Sequence, residues 1–314
     1  SLPGVAPVIS IGNLTVGGTG KTPVTIDLAR RLSEKNLKVA VLSRGYERKS
    51  AEPQVVVSDG SRLLATCEDA GDEPFLIARS VPSAVVISGS DRVATGARAV
   101  TEFGAQVILL DDGFQHIRLK RSFDIVLIDY NDDLECDALL PAGRLREPLS
   151  ALGRATSIVI TKVPVGCDSD RIMQISSIIR KHNKRADISY CQFKPSCSEN
   201  LKGERVLALC GIARPEQFLD SINQLGGTVV KSCVYPDHHW YTEQEIETLD
   251  SLVRKNKATC VVTTEKDYVR IAKHDHVPCP IVTVRQEANW LGEIPHCIDY
   301  LTGKTAPPPV PSAR

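Results

Sequence analysis

The sequence lacks an excess of charge of either sign. Its 314 residues include 38 lysines and arginines against 38 aspartates and glutamates, which gives a net charge of zero. Binding to a nucleic-acid duplex usually requires a basic face that neutralises phosphates, so no nucleic-acid partner is expected. With 42% apolar and 24% charged residues the composition is that of a globular chain with ample core, and the length suits about two domains of roughly 150 residues each.

The sequence also has no cysteine pair with the C-x-x-C spacing of zinc and redox sites, and no run of 18 apolar residues. Its ten cysteines are scattered, which fits a reducing cytoplasm. No signal peptide is visible, so neither a membrane-spanning helix nor export is predicted. The chain begins at Ser1 and its single methionine is Met173, so we expect the natural start, and any N-terminal membrane anchor, to lie upstream.

What the sequence does contain is an alternation of short apolar runs and amphipathic stretches. Val8–Ile11 is followed by a helical pattern at Thr22–Lys35, and later runs include Val107–Leu110 and Ile125–Ile128. The alternation predicts an α/β fold whose mostly parallel sheet carries helices on both faces. Together with the glycine-rich segment described below, it predicts a P-loop NTPase-like fold. Because these runs are apolar throughout, we expect strands that are buried on both faces.

Polar residues dominate the segment 181–205, which predicts a join between domains. A second, smaller α/β pattern follows, with a capping box at Thr242 and Glu245 ahead of a helix. We therefore predict a larger domain at residues 1–190, a smaller α/β domain at 191–303, and a proline-rich tail at 304–314 that is extended or disordered.

The segment "GNLTVGGTGKTP", residues 12–23, lies between the first apolar run and the first helical pattern. In that context it predicts a P-loop, because backbone N–H groups at a helix start converge on phosphate oxygens. Lys21 adds a charge toward the β- and γ-phosphates, and the Thr22 hydroxyl is a ligand for Mg²⁺. Thr15 stands where the usual pattern has its first glycine, and the adjacent Gly17-Gly18 pair is expected to supply the lost flexibility. The alternative is a glycine-rich turn without a ligand. The predicted ATP-binding residues are Thr15, Val16, Gly17, Gly18, Thr19, Gly20, Lys21 and Thr22.

In "VILLDDGFQH", Asp111 and Asp112 come directly after four apolar residues. A carboxylate at the end of a strand beside the P-loop strand is typical of the Walker B position, which holds Mg²⁺. We predict a metal role for both aspartates, and the alternative is that they are turn residues ahead of Gly113.

The P-loop alone does not name the reaction, because GTPase switches, ATPase motors and small-molecule kinases all contain one. Guanine recognition requires N-K-x-D after a late strand, whereas the nearest counterpart, Thr161-Lys162-Val163-Pro164, lacks the aspartate. Guanine specificity is therefore not expected. A regulatory or assembly ATPase and a kinase for another small sugar remain the alternatives to the function considered next.

Eight motifs in order along the chain resemble the tetraacyldisaccharide 4'-kinase family, the lipid A 4'-kinases. The resemblance extends to about Leu301 and is far more specific than one P-loop. The motifs are "GNLTVGGTGKTP", "LSRGY" (42–46), "GDEP" (71–74), "SDR" (90–92), "DDGFQH" (111–116), "LLPAGRLREPL" (139–149), "PDHHWY" (236–241) and "TTEKD" (263–267).

This resemblance implies an enzyme that uses ATP and Mg²⁺ to phosphorylate the 4'-hydroxyl of a tetraacylated glucosamine disaccharide 1-phosphate. It also implies action on a glycolipid at the cytoplasmic face of the inner membrane, where the enzyme is held peripherally or by an N-terminal segment absent from this chain. We expect the enzyme to be a monomer. The smaller domain would close over the active site. Two short basic clusters, residues 46–49 and 116–121, are candidates for contact with the membrane surface, and solvated loops are the alternative.

The resemblance further implies that Asp72 of "GDEP" is the catalytic base and His238 of "PDHH" its partner. A carboxylate supported by a histidine can accept a hydroxyl proton near neutral pH. Taken as residues alone, Asp72 and Glu73 are as well explained as acids at a helix N-terminus, and His238 as a residue of a surface loop. His239 is the competing histidine, and His238 is preferred because it directly follows Asp237 in the motif.

The remaining candidates lie in the same motifs. Arginine side chains at Arg44, Arg92 and Arg146 suit ATP phosphates or the 1-phosphate of the substrate, although isolated arginines are usually solvated. Glu147 is expected to complete the Mg²⁺ shell through water. Gln115 and His116 are expected to orient the sugar hydroxyl, with core hydrogen bonding as the alternative. Tyr46 of "LSRGY" completes the predicted substrate or phosphate contacts.

Overall fold

The computed structural model describes residues 6–272, 274 and 277–301, and it confirms the α/β fold. These residues form two compact units. The first unit comprises the described residues up to Phe193 together with those from Ala288 onward, and the second unit is Lys194–Glu287. Among the described helices, none is long and apolar enough to cross a membrane.

The described residues form twelve strands, nine α-helices and a 3₁₀ helix at Leu149–Arg154. The strands are β1 Val8–Asn13, β2 Val39–Ser43, β3 Gln54–Asp59, β4 Val85–Gly89, β5 Val107–Asp111, β6 Phe123–Asp129, β7 Ser157–Thr161, β8 Asp187–Cys197, β9 Arg205–Cys210, β10 Thr228–Val234, β11 Cys260–Thr264 and β12 Ile281–Trp290. The helices are α1 Lys21–Glu34, α2 Cys67–Ala70, α3 Asp72–Ser80, α4 Arg92–Thr101, α5 Ser169–His182, α6 Pro215–Gln224, α7 Glu243–Lys255, α8 Glu265–Ile271 and α9 Cys297–Leu301.

The sheet of the first unit has the order β8-β7-β6-β1-β5-β2-β4-β3. Its neighbours are parallel except for β3, which runs antiparallel to β4 at the edge. Because β1 lies between its parallel neighbours β5 and β6, the loops that follow these three strands emerge at one edge of the sheet, here called the carboxyl edge. The predicted P-loop and Walker B segments are two of these loops.

Both faces of this sheet are covered, as the apolar runs predicted. Every residue of β1, β2, β4, β5, β6 and β7 is buried. Ile9 packs in a core with Val24 and Leu28 of α1, whereas its neighbour Val8 packs in another core with Ala99 of α4. Successive strand residues point to opposite faces, so the two cores lie on opposite sides of the sheet.

The second unit repeats this arrangement on a smaller scale. Its sheet has the order β10-β9-β11-β12 with parallel neighbours. Phe218 and Ile222 of α6 belong to one core, and Ile246 and Leu249 of α7 belong to another. Both cores consist of residues of the second unit alone.

The compact units divide the chain differently from the predicted domains. The polar segment predicted as a join contains β8, an eleven-residue strand whose residues are mostly half-buried, so its polar residues are compatible with a strand. Residues from Ala288 onward, assigned by the prediction to the smaller domain, belong to the first unit. There the indole N–H of Trp290 donates to Asp27 Oδ2 of α1 at 2.7 Å. The predicted tail at 304–314 lies outside the described residues.

Candidate active site

β1 leads into a glycine-rich turn that ends at α1, as the P-loop prediction requires. Gly17 and Gly20 have φ of 118° and 92°, in the left-handed region that favours glycine, which agrees with the expected role of Gly17 in the turn. Gly20 is the N-cap residue of α1; no side chain of the described residues caps this helix, and its first turn contains no acidic residue. The start of a 14-residue helix therefore presents backbone N–H groups and the positive end of its dipole to an anion.

Thr15 fills the position of the missing glycine because the turn does not require a glycine there. Its side chain is buried and its hydroxyl donates to Asp132 Oδ2 at 3.2 Å. On either side, Val16 N donates to the carbonyl of Arg144 and Arg146 N donates to the carbonyl of Leu14, at 2.8 and 2.6 Å. The first half of the loop is thus held by the segment "LLPAGRLREPL" rather than by a tight turn of its own.

Asp111, at the end of β5, is buried with few compensating charges. Its two carboxylate oxygens accept from the hydroxyls of Thr25 and Ser43, both at 3.3 Å. Burial raises the pKa of Asp111 to about 7, and the neighbouring carboxylates of Glu73 and Asp112 act in the same direction.

Asp112 has the opposite environment. Burial favours a higher pKa for this carboxyl group, but Lys21 and Arg146 outweigh that effect and the net pKa is lowered. Arg146 Nη1 donates to both oxygens of Asp112, at 3.0 and 2.9 Å. Lys21 Nζ lies 3.7 Å from Asp112 Oδ1 and donates to Asn13 Oδ1 at 3.4 Å, so the P-loop lysine and the second Walker B aspartate are neighbours.

The other predicted arginines also lie at the carboxyl edge, but with different exposure. Arg92, the first residue of α4, is buried and donates to the carbonyl of Gly89. Burial lowers the pKa of Arg92 to about 10, while Asp111 opposes this effect and Arg44 adds to it. Arg44 and Tyr46, which follow β2, are exposed.

Gln115 and Glu147 form a hydrogen-bonded group beside the P-loop strand. Gln115 Nε2 donates to the Asn13 carbonyl at 3.0 Å and to Glu147 Oε1 at 3.1 Å. Glu147 also pairs with Arg154 at 2.9 Å, and the Arg154 guanidinium lies over the Phe114 ring at 4.4 Å. Glu147 therefore has protein partners already.

Asp72 is buried and begins α3, with Glu73 as the second acid of the first turn. Asp72 Oδ1 accepts from Glu73 N at 2.8 Å. Asp72 and Glu73 therefore do lie at a helix N-terminus, which was the alternative explanation of these two acids. The same helix end places Glu73 where its charge acts on Asp111, so helix capping and a site role are compatible for this pair.

Several buried polar atoms in these segments have no hydrogen-bond partner among the described residues: Thr19 Oγ1, Arg92 Nε, Gln115 Oε1 and His116 Nε2. Burial lowers the pKa of His116, and Arg92 adds to that effect. Buried polar groups without partners are unfavourable unless a ligand or water satisfies them. They accordingly fit a site that binds a polar ligand.

The residues at the carboxyl edge also fit a divalent cation. No cluster of three or more His, Cys, Asp or Glu side chains with metal-binding geometry occurs in the part of the chain that the structure describes. A P-loop site does not require one, since a hydroxyl, a carboxylate, phosphate oxygens and water suffice. The raised pKa of Asp111 reflects mutual repulsion with Glu73 and Asp112 as well as burial, and a cation would relieve both.

In the second unit, the motif "PDHHWY" distinguishes its two histidines. His239 stacks on Tyr235 with ring centroids 4.5 Å apart, and its Nε2 lies 3.1 Å from Glu245 Oε2. His238 has φ of 61°, and its Nε2 lies 3.3 Å from Lys266 Nζ. His239 is thus integrated into an aromatic cluster, whereas His238 contacts a cation.

Sequence reasoning assigned no role to the motif "TTEKD", and the structure shows what its aspartate does. Asp267 is fully buried and pairs with the fully buried Arg270 at 2.8 Å. Asp267 Oδ1 also accepts from Gly211 N at 2.9 Å and from the Tyr241 hydroxyl at 3.0 Å. The motif itself was the available signal, but its partners lie 26 and 56 residues away and no local pattern reveals them.

Comparison with known proteins shows which family the chain resembles. A family model described as tetraacyldisaccharide-1-P 4'-kinase matches residues 4–303. A tetraacyldisaccharide 4'-kinase of Syntrophus aciditrophicus is 41% identical over 289 residues, which cover 87% of this chain and 77% of that protein. One of an Anaeromyxobacter species (strain Fw109-5) is 42% identical over 311 residues, which cover 96% of this chain and 83% of that protein. A crystal structure described as the "apo" form of LpxK from Aquifex aeolicus in complex with ATP is 29% identical, with a TM-score of 0.72 over 97% of this chain and 89% of that chain.

Proposed function

The chain belongs to the tetraacyldisaccharide 4'-kinase family, and from this membership we propose how its own residues carry out the reaction. The enzyme is a kinase of lipid A biosynthesis that transfers the γ-phosphate of ATP to the 4'-hydroxyl of tetraacyldisaccharide 1-phosphate. The sugar oxygen forms a bond to the γ-phosphorus, the bond to the ADP oxygen breaks, and the hydroxyl proton passes to a base.

The observation that carries the proposal is the grouping of Lys21, Asp111 and Asp112 at the uncapped start of α1. The turn and Lys21 would bind the β- and γ-phosphates. Thr22, Asp111 and Asp112 would hold Mg²⁺, with Glu147 contributing through water. When bound, Mg²⁺ neutralises charge on the phosphate oxygens.

Asp72 is proposed as the base and His238 as the side chain that supports it. Burial at a helix start makes the Asp72 carboxylate a better defined acceptor than an exposed loop acid. Among the cations, Arg92 and Arg44 would contact phosphate groups, and Arg146 would orient Asp112 as well as phosphate. Gln115 and His116 would present their unpartnered polar atoms to the sugar, and the exposed Tyr46 would contact the substrate at the rim of the site.

We further propose that the carboxyl edge faces the membrane that carries the lipid. Exposed apolar side chains occur in two loops that follow its strands: Leu139 and Leu140, 47% and 51% exposed, after β6, and Ile117, 68% exposed, after β5. Arg118 and Lys120 beside Ile117 are also exposed, which suits anionic headgroups. The other predicted basic cluster, residues 46–49, is less suitable because Arg48 donates to backbone carbonyls and Lys49 pairs with Glu68.

The reaction is tested with purified protein, ATP labelled at the γ-phosphate and a panel of acceptors. We expect label to reach the tetraacyldisaccharide 1-phosphate and to depend on Mg²⁺. Label that appears only as free phosphate would support the regulatory or assembly ATPase instead. Label that moves to an unacylated sugar in preference would support a kinase for another small sugar.

A further inference from the structure

In the second unit, a lysine contacts the histidine that the proposed mechanism uses. Lys266 Nζ of α8 lies 3.3 Å from His238 Nε2, within hydrogen-bonding distance. A lysine ammonium has three donors and no acceptor, so it can hydrogen-bond only to a ring nitrogen that carries no proton. This geometry therefore selects one form of His238: the neutral imidazole with its proton on Nδ1.

His238 and Lys266 are both connected by hydrogen bonds to the buried peptide group of Gly211, His238 directly and Lys266 through Arg270. His238 N donates to the Gly211 carbonyl at 3.2 Å. The same carbonyl accepts from Arg270 Nη2 at 3.2 Å, and Arg270 Nε donates to the Lys266 carbonyl at 3.2 Å. Asp267 completes the link by accepting from Gly211 N. The backbone groups that carry the Lys266 and His238 side chains are thus held by a fully buried ion pair.

Gly211 itself tolerates no side chain. A Cβ at this position would lie 2.9 Å from the Pro236 carbonyl oxygen and 3.1 Å from His239 Cβ. The backbone of the histidine loop therefore packs directly against Gly211, and the left-handed φ of His238 is part of the same tight turn.

We propose that Lys266 is a positioning residue that holds His238 as the neutral Nδ1–H imidazole. The mechanistic use of this form rests on the proposed function, in which His238 supports the Asp72 base. A ring whose Nε2 accepts from Lys266 has Nδ1–H left as its donor. A neutral ring also carries no positive charge, which would lower the basicity of the Asp72 carboxylate.

The charged groups recorded near the His238 ring act in opposite directions. Lys266 disfavours the imidazolium, whereas Asp237, whose Oδ2 lies 4.0 Å from Nε2, favours it. Replacing Lys266 by methionine removes the first effect and leaves the second. The pKa of His238 is then expected to rise, by about one unit or more.

The experiment is nuclear magnetic resonance of the full chain labelled with ¹⁵N-histidine, in which H238Q identifies the His238 signals. We expect the wild-type ring to carry its proton on Nδ1 at neutral pH. In K266M the pKa of His238 should rise, while K266R, which keeps a cation, should stay close to wild type. K255M, which removes an exposed lysine of α7, is the control and should leave His238 unchanged.

The pH profile of kcat/KM provides a second readout. Because the neutral ring is the working form, K266M should lose activity first at acidic pH, with its acidic limb displaced upward by about the same one unit. A proton on Nε2 in the wild type, or an unchanged His238 pKa in K266M, would overturn the inference. Failure of the wild type to phosphorylate the disaccharide would instead contradict the proposed function and leave the resonance result standing.

Discussion

Asp111 and Asp112 are adjacent in the chain, yet the structure gives them opposite surroundings. Asp111 accepts from two hydroxyl groups and is desolvated, which raises its pKa, while Asp112 faces Lys21 and Arg146, which lower its pKa. A turn residue on a surface would show neither pattern. This contrast supports the proposed metal role. Asp112 does lie in a turn ahead of Gly113, with φ of 52°, so for this residue the turn position and the metal role are compatible.

Removing the proposed base tests the site at the scale of one residue. Asp72→Asn keeps the size of the side chain but removes its capacity to accept a proton, so kcat should fall by about 100-fold or more while ATP affinity is unchanged. Lys21→Ala is the contrasting variant, because it removes a phosphate ligand and should weaken both ATP binding and turnover. The measurements are steady-state kinetics and calorimetric titration with ATP. Normal kcat in Asp72→Asn would remove Asp72 from the mechanism.

At the scale of single residues, the sequence predicted which residues belong to the site better than it predicted their hydrogen-bond partners. The strand, turn and helix around Lys21 and the acids after β5 follow from local pattern, and the structure places them together. Thr15 looked like a substitution that Gly17 and Gly18 compensate, but its side chain is instead bonded to Asp132, 117 residues away. Only folding brings such distant residues together, so periodicity and propensity cannot reveal the contact.

At the scale of elements, the contact between β8 and the P-loop was not predicted. A side chain at position 20 would collide with the ring of Phe193, so the ring of this β8 residue packs directly on the last glycine of the loop. Thr161 at the end of β7 adds a hydrogen bond to the Thr19 carbonyl at 2.8 Å. Residues of β7 and β8 therefore hold the P-loop in place. The loop is rich in glycine and has few side chains that could make contacts within the loop.

A glycine substitution tests this support. Gly20→Ala must accept both a left-handed φ and a collision with Phe193, so we expect it to lower the free energy of unfolding by about 2 kcal/mol and to weaken ATP binding. Gly18→Ala is the matched control, since its Cβ would meet open space and its φ lies outside the left-handed region. In urea unfolding without nucleotide, Gly18→Ala should differ from wild type by no more than about 0.5 kcal/mol. Equal stability of the two variants would contradict the inferred packing.

At the scale of the whole molecule, two units each have their own cores on both faces of a sheet. Five apolar residues in succession, Ala138–Ala142, are nevertheless left exposed in the first unit, and their loop is paired with the P-loop through Val16 and Arg144. Exposed apolar segments of this kind usually mark an interaction surface. Its attachment to the P-loop would couple the contact with lipid to the position of the reacting phosphate.

Membrane contact can be tested with two pairs of leucines of equal exposure. L139S/L140S removes exposed apolar side chains at the carboxyl edge, and it should reduce the fraction bound to vesicles containing anionic lipid by about tenfold. Leu63 and Leu64 are likewise 47% and 51% exposed, but they lie alongside β3, the outermost strand of the first unit's sheet, and not in a loop at the carboxyl edge: Leu63 bridges Ser58, and Leu64 N donates to the Val57 carbonyl. L63S/L64S should therefore leave binding unchanged. Equal losses from both pairs, or none from either, would refute the proposed orientation in a flotation assay.

The sequence by itself determined the α/β class, the P-loop and its acidic partners, because these depend on local periodicity and on residues adjacent in the chain. Its motifs also carried the resemblance that the family comparison bears out. Only the tertiary structure decided where the units divide, how Thr15 is held, and that Lys266, Asp267 and Arg270 fix His238. Those features are contacts between segments 26 to 117 residues apart, whose formation depends on the packing of the whole sheet rather than on any local preference.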